Sequence, residues 1–279
     1  MLKPSWLDKK LNLNSCRSLK EMLRDTGLHT VCEEALCPNI SECFAKKTAT
    51  FMILGDACTR ECAFCGVAKA KPKIPDKDEP RRLKEAVKKL GLEYVVITSP
   101  TRDDLLLGGA EVFCETVKEV LSIGRHIQVE ILIPDFYGNP LSLRKVALCG
   151  AKVIAHNLET VPSLYIQVRK GADYSRSLEV LRLIKELNSK VFTKSGLMLG
   201  LGEQKEEIVQ VMRDLRKVAC DFLTLGQYLP PSLTHYPLKE YISPEKFAYF
   251  KITALKLGFK GVKSSPYVRS SYLAHSFLT

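Results

Sequence analysis

Between Cys32 and Cys65 the chain carries six of its ten cysteines, and no other feature restricts its fold as tightly. They form two triplets. Cys32, Cys37 and Cys43 are spaced C-x4-C-x5-C, while Cys58, Cys62 and Cys65 are spaced C-x3-C-x2-C. The fourteen residues between them include TATFMILG, an apolar run that reads as a buried strand. Thiolates gathered this closely repel one another unless something cationic holds them. Three readings are open. A disulfide framework suits small secreted chains, not one of 279 residues with no secretory signal. Structural zinc takes four ligands, often from paired C-x2-C knuckles, and each triplet here stops at three. Thiolates are also the standard ligands of iron–sulfur clusters. Three of them leave one iron of a 4Fe-4S cube open to another ligand.

The length suits one large domain and is ordinary for an α/β barrel. With 46% apolar and 26% charged residues the composition is that of a soluble globular protein. The formal charge of +11 fits either a solvated lysine-rich surface or an acidic partner. No basic run is interleaved with aromatics, so no nucleic acid is expected as partner. The opening MLKPSWLDKK has no apolar signal core, and nowhere do 18 apolar residues run together. No membrane association is expected, and a cytoplasmic location would keep the thiols reduced.

A short helix is expected over 16–26, ended by Gly27, with Cys16 a buried apolar residue and Trp6 and Leu7 packing an N-terminal extension. The tract 68–80 reads as an exposed loop. From there a regular alternation sets in. Strands are expected at 51–55, 94–98, 128–133, 152–155, 191–199 and 222–225. Helices are expected at 82–90, 110–122, 142–148, 177–188, 206–219 and 244–257, the last with Ser243 as N-cap and Gly258 as stop. Six strand–helix units imply a parallel sheet with right-handed crossovers. Six is too few to close an eight-stranded barrel. The expected fold class is therefore α/β, a partial (β/α)6 TIM-type barrel with N- and C-terminal extensions. Cys114 and Cys220 fall in expected helices and Cys149 just before a strand. Barrel enzymes place their chemistry at the C-terminal ends of strands. Here those ends read CTRECAFC, TSPTRDDLLLGGA, IPDF, HNLET, GLGE and GQYLPP. His156 in the fourth reads better as a satisfied buried histidine than as a ligand.

C-x3-C-x2-C at the end of a strand resembles the signature loop of the radical S-adenosylmethionine (SAM) superfamily. VCEEALCPNISEC followed by TATFMILGDACTRECAFC resembles the lipoyl synthase family within it. Further matches run almost end to end: KPSWL, YVVITSPTRDDL, EILIPDF, HNLETVPSLY, KGADYSRSL, TKSGLMLGLGE, LTLGQYLPPS and VRSSYLA. Two departures are visible: Gly66 and Leu107 stand where the family commonly has Asp.

The resemblance implies that Cys58, Cys62 and Cys65 hold the 4Fe-4S cluster that cleaves SAM, and that Cys32, Cys37 and Cys43 hold a second one. The second serine of VRSSY, Ser271, is implied as an oxygen ligand of that second cluster, to be released when sulfide is given up. For SAM itself it implies contacts from Phe64, Gly108, Gly109, Asn157, Glu159, Lys194 and Met198, with Glu203 structural. The substrate would be an octanoyl group on a lysine of a lipoyl carrier domain, such as the glycine cleavage H protein or a 2-oxoacid dehydrogenase E2 subunit. Sulfur would enter at C6 and C8. Reduced ferredoxin or flavodoxin would supply electrons. Residues 1–50 would form the extension carrying the second cluster's cysteines, 51–258 the barrel, and 259–279 a tail closing on that cluster. Another radical SAM sulfur-inserting enzyme, or a two-cluster electron carrier, stand as alternatives.

Overall fold

The computed structural model of the chain describes residues 2–8, 21, 23, 25–35, 37–45 and 50–278. Cys16, and the helix expected over 16–26 apart from residues 21, 23, 25 and 26, lie outside them. Among the described residues the strands are β1 (His29–Thr30), β2 (Thr50–Met52), β3 (Ala57–Cys58), β4 (Ala68–Lys69), β5 (Tyr94–Thr98), β6 (Gln128–Leu132), β7 (Val153–Ala155), β8 (Phe192–Leu199), β9 (Phe222–Gln227) and β10 (Gly261–Ser264).

Eight of these make one sheet in the order β1-β2-β5-β6-β7-β8-β9-β10. Every neighbouring pair is parallel except β1 on β2. The expected partial barrel is present, and it is extended at both edges. β10 adds a seventh parallel strand and β1 an antiparallel one, both from segments expected to lie outside the barrel. β3 and β4 pair apart from the main sheet and frame the C-x3-C-x2-C loop.

The local chemistry of the crossover helices explains where they begin and end. Glu79–Leu90 has Pro80 in its first turn and ends on Gly91 in the left-handed conformation (φ 63°). Its buried Leu83, Ala86 and Val87 follow helical spacing. Lys205–Lys217 opens with a reciprocal Gln204/Glu207 capping box. Pro244–Lys256 is capped by Ser243, whose side chain accepts from the Lys246 N–H, as expected. Cys220, expected in a helix, instead lies between Lys205–Lys217 and β9.

Two groups of buried apolar side chains flank the sheet, one centred on β2, β5 and β6, the other on β8 and β9. The C-terminal segment closes the lower end of the barrel. Phe277 stacks on Phe222 with ring centroids 4.9 Å apart, and Phe222 on Phe192 at 5.2 Å. Leu7 is fully buried, its carbonyl accepting from the Tyr267 hydroxyl, whereas Trp6 stays 44% exposed. No described helix is long and apolar enough to cross a membrane.

Candidate functional site

The C-x3-C-x2-C loop leaves β2 through Leu54 and Gly55, both at positive φ. Glu79 accepts from the Leu54 N–H at 2.8 Å, and buried Arg102 donates to the Leu54 carbonyl at 2.8 Å. The loop is then held from three sides. Cys58 Sγ accepts the N–H groups of Thr101 (3.3 Å) and Arg60 (3.4 Å). Ala63 N–H donates to the Val168 carbonyl at 2.9 Å, and Tyr236 N–H to the Ala63 carbonyl at 2.8 Å. His235 Nε2 lies 3.1 Å from the Cys65 carbonyl. Burial pushes the Cys65 thiol up to about 12, and the charges of Cys62 and Cys58 add to it. Burial likewise pushes Cys62 up to about 11, with Arg169 opposing and Cys58 reinforcing.

Cys32 and Cys43 of the other triplet sit on two short helices, Val31–Glu34 and Ile40–Ala45, and Cys37 lies between them. Cys37 N–H donates to the Cys32 carbonyl at 3.1 Å, and Cys43 N–H to the Asn39 carbonyl at 3.0 Å. Burial pushes the Cys32 thiol up to about 12, with Cys37 and then Cys43 adding to it. The C-terminal tail reaches this cleft. Ser271, Arg269 and Tyr272 line it together with all three cysteines. Asn39 donates to the Tyr267 carbonyl at 2.7 Å and the Tyr272 hydroxyl to Glu42 at 2.8 Å. The tail is thus tied to the N-terminal extension on both sides of Ser271.

Between the triplets lies a cavity of about 360 Å³, with Cys32 and Cys37 on one wall and Cys65 on another. That volume is within the range of small-molecule sites. Phe64, Asn157, Glu159, Met198 and Ser271 line it. Asn157 donates to Glu159 at 3.0 Å and accepts from the Ser270 hydroxyl at 2.7 Å. Burial raises the Glu159 carboxyl, against the pull of Arg169 and Asn157. Gly226 has no room for a side chain: a Cβ there would stand 2.0 Å from the Val268 carbonyl oxygen. That close approach lets the tail lie against β9.

The residues fit thiolate-bound clusters. Cys32, Cys37 and Cys43 border one cleft, and Cys58, Cys62 and Cys65 fall within one eight-residue loop. Among the described residues, no three thiol, imidazole or acidic groups gather as one mononuclear ion would require. A cubane takes its thiolates on separate irons, so they converge less tightly than the ligands of a single ion. Ser99, at the end of β5, buries a hydroxyl without a hydrogen-bond partner among the described residues.

A family model described as the radical SAM superfamily matches residues 52–215. The lipoyl synthase of Caldicellulosiruptor saccharolyticus is 54% identical over 98% of this chain and 96% of its own length. The chain belongs to the lipoyl synthase family. The lipoyl synthase of Aquifex aeolicus is also 54% identical, over 96% of this chain and 97% of its own. Lipoyl synthases are radical SAM sulfurtransferases, and the chain is an enzyme of that class; the superfamily implies a 4Fe-4S cluster and SAM. Among solved structures, methylornithine synthase superposes with a TM-score of 0.58 at 17% identity, over 79% of this chain and 72% of that one. Streptococcus suis SuiB bound to SAM gives 0.57 at 14%, over 74% and 45%. At such identities the likeness shows the fold alone.

Several residues implied by the lipoyl synthase pattern do not meet the cavity. Lys194 is fully buried and paired with Glu130, which also accepts from the Tyr94 hydroxyl at 2.6 Å. It is neither a cavity-lining group nor a surface lysine. Gly108 and Gly109 do not line the cavity either; they pack against Phe136 and Leu54, which added Cβ atoms would approach to 2.7 and 2.2 Å. Glu203 is structural as expected, accepting from Gly200 and Leu201 N–H at 2.6 and 2.8 Å. His156 is buried with Nδ1 2.9 Å from the Ile133 carbonyl, and burial, with Arg169 adding, pushes it down to about 4. Gly66, where lipoyl synthases commonly have Asp, lines the cavity, and a Cβ there would make only ordinary 3.4 Å contacts. Sequence reasoning missed Arg269, Asn39 and His235, since no motif spacing links them to cysteines far away in the chain.

Proposed function

We propose that this enzyme inserts two sulfur atoms, at C6 and C8, into an octanoyl group amide-linked to a lysine of a lipoyl carrier domain. The observation that carries this reading is one cavity bordered by both cysteine triplets, with Ser271 beside the N-terminal one. A single cluster with SAM would account for radical chemistry but not for a sulfur donor within reach of the same substrate.

When bound, a 4Fe-4S cluster on Cys58, Cys62 and Cys65 with SAM supplies a 5′-deoxyadenosyl radical, and a second on Cys32, Cys37, Cys43 and Ser271 supplies sulfide. The chain's own residues bind, orient and exclude water. Phe64 and Met198 offer apolar wall to the adenine, while Asn157 and Glu159 offer hydrogen bonds to the ribose and amino groups. Val31, Leu197, Tyr228 and Pro231 give the cavity apolar surface suited to an alkyl chain. No side-chain base is required, because the C–H bonds at C6 and C8 are scarcely acidic. Ser271 would offer that cluster a hard oxygen ligand, poorly matched to an iron–sulfide core. The N-terminal extension contributes the sulfur-donor cysteines, the barrel the SAM site, and the tail Ser271. The positive charge of the chain suits an acidic carrier domain, such as the glycine cleavage H protein or an E2 subunit, and an acidic donor such as ferredoxin or flavodoxin.

The test uses anaerobically prepared protein with SAM, dithionite and an octanoyl-lysyl peptide, read by mass spectrometry. A product carrying two sulfurs is expected. Replacing Cys58, Cys62 and Cys65 together by Ala should abolish 5′-deoxyadenosine formation. Replacing Cys32, Cys37 and Cys43 should preserve SAM cleavage and abolish sulfur transfer. Lipoyl product from the latter variant would show that the sulfur comes from elsewhere and overturn the division of labour.

A further inference from the structure

The buried charges beside the C-x3-C-x2-C loop have no part in the chemistry derived above. Arg60 lies between Cys58 and Cys62, and its side chain is only 6% exposed. Its Nε and one terminal nitrogen donate to the two Asp103 oxygens at 2.8 and 3.0 Å, and that terminal nitrogen also donates to Asp135 at 2.6 Å. Arg176 donates to the other Asp135 oxygen at 2.8 Å. Such a two-pronged carboxylate contact fixes a guanidinium in orientation as well as place.

The array is itself held under strain. Phe136, Tyr137 and Gly138 follow Asp135 with φ of 47°, 51° and 72°, three consecutive left-handed residues. Two of them carry side chains, so surrounding contacts must offset the strain of that backbone. The turn brings the Tyr137 ring 4.6 Å from the Arg60 guanidinium carbon and 5.3 Å from that of Arg176. Asp135 also accepts from the Tyr137 N–H at 3.2 Å.

What the array fixes is the start of the cysteine loop. Thr59 N–H and hydroxyl donate to the Thr101 carbonyl at 3.0 and 2.9 Å, and the Thr59 hydroxyl accepts from Asp103 N–H at 3.1 Å. The segment from Cys58 to Arg60 is therefore laced to the segment from Thr101 to Asp103. The same lacing aims the Thr101 and Arg60 N–H groups at Cys58 Sγ. Hydrogen bonds to cluster sulfurs raise reduction potential, because they favour the more negatively charged reduced state.

We propose that Arg60 is a positioning residue: clamped by Asp103 and Asp135, it locks the backbone that directs two N–H groups onto Cys58 Sγ and so sets the potential of the cluster held there. The inference rests on the assignment of Cys58, Cys62 and Cys65 to the SAM-cleaving cluster. Arg60 touches neither substrate nor SAM in this role. It acts through the thiolate.

The test is a redox titration followed by electron paramagnetic resonance. It is made in full-length protein in which Cys32, Cys37 and Cys43 are Ala, so that one cluster contributes. Into this background go Arg60→Gln and the milder Asp103→Asn, which keeps the side-chain shape and removes its charge. The expected result is a midpoint potential shifted to more negative values in Asp103→Asn and further in Arg60→Gln. The rate of SAM cleavage should fall in the same order, and iron content should stay at one cluster per chain in Asp103→Asn. A lower melting temperature or iron content with an unshifted potential would reduce the array to a structural brace and overturn the proposal. A background protein without any cluster would overturn the cluster assignment itself, and the inference with it, before Arg60 is altered.

Discussion

Replacing Lys194 by Met would leave the Glu130 carboxylate, 1% exposed, inside the barrel with the Tyr94 hydroxyl as its remaining hydrogen-bond donor among the described contacts. Removing one partner of a buried ion pair costs about 3–5 kcal/mol, because the other charge stays desolvated. The Tyr94 hydrogen bond, 2.6 Å long, retains part of the compensation, so the lower end applies, about 3 kcal/mol. The Phe277 ring, 5.2 Å from the Lys194 nitrogen, can pack on a Met instead. At roughly 2–4 °C per kcal/mol for a chain of this order of size, the melting midpoint should fall by about 6–12 °C. The assay is far-ultraviolet circular dichroism of the anaerobic holoprotein at one scan rate, paired with equilibrium SAM binding well below the midpoint. SAM affinity should be unchanged. Lys194→Met with Glu130→Gln should recover most of the loss, since an amide oxygen can still accept from Tyr94 and carries no charge. A SAM affinity weakened by about tenfold, ~1.4 kcal/mol, with an unshifted midpoint would mean that Lys194 contacts SAM and that the buried pair is not its purpose.

Ser271→Ala should assemble both clusters, by iron and sulfide analysis, yet transfer sulfur at a severely reduced level; wild-type yield of lipoyl product would remove Ser271 from the ligand set. Lys263, whose ammonium donates to the Leu273 carbonyl, tests the tail through pH. Burial pushes its ammonium down to about 8, with the charge of Lys194 adding and Glu130 opposing. A depressed folded value means the unfolded chain binds the proton more firmly, so the stability linked to this group is present above the unfolded value near 10.5 and lost as pH falls through about 8. The melting midpoint of the unaltered protein should therefore gain on that of Lys263→Met as pH rises from about 8, and parallel curves would refute the linkage.

The amino-acid sequence by itself determined the parts of this protein that depend on short-range spacing. The six β/α units were legible because apolar β-branched runs such as YVVIT and capped amphipathic helices declare themselves within a dozen residues. The two cysteine triplets were visible for the same reason, each being a local spacing pattern. What lay beyond local pattern was decided by tertiary structure. β1 and β10 are two and four residues long and form by pairing with a sheet already present at their edges. Lys194 carried the same identity in either reading; only the position of Glu130, 64 residues away in the chain, makes it a buried ion-pair partner. The tail makes the point most fully. Apart from the family resemblance, nothing in the local pattern of VRSSY directs it to the N-terminal cysteines. It lies beside them because Gly226 admits its backbone, Asn39 holds Tyr267, and Glu42 holds Tyr272. Each of these contacts joins segments about forty to 230 residues apart, and the entropy of closing such loops is met by the whole packed barrel rather than by any local signal.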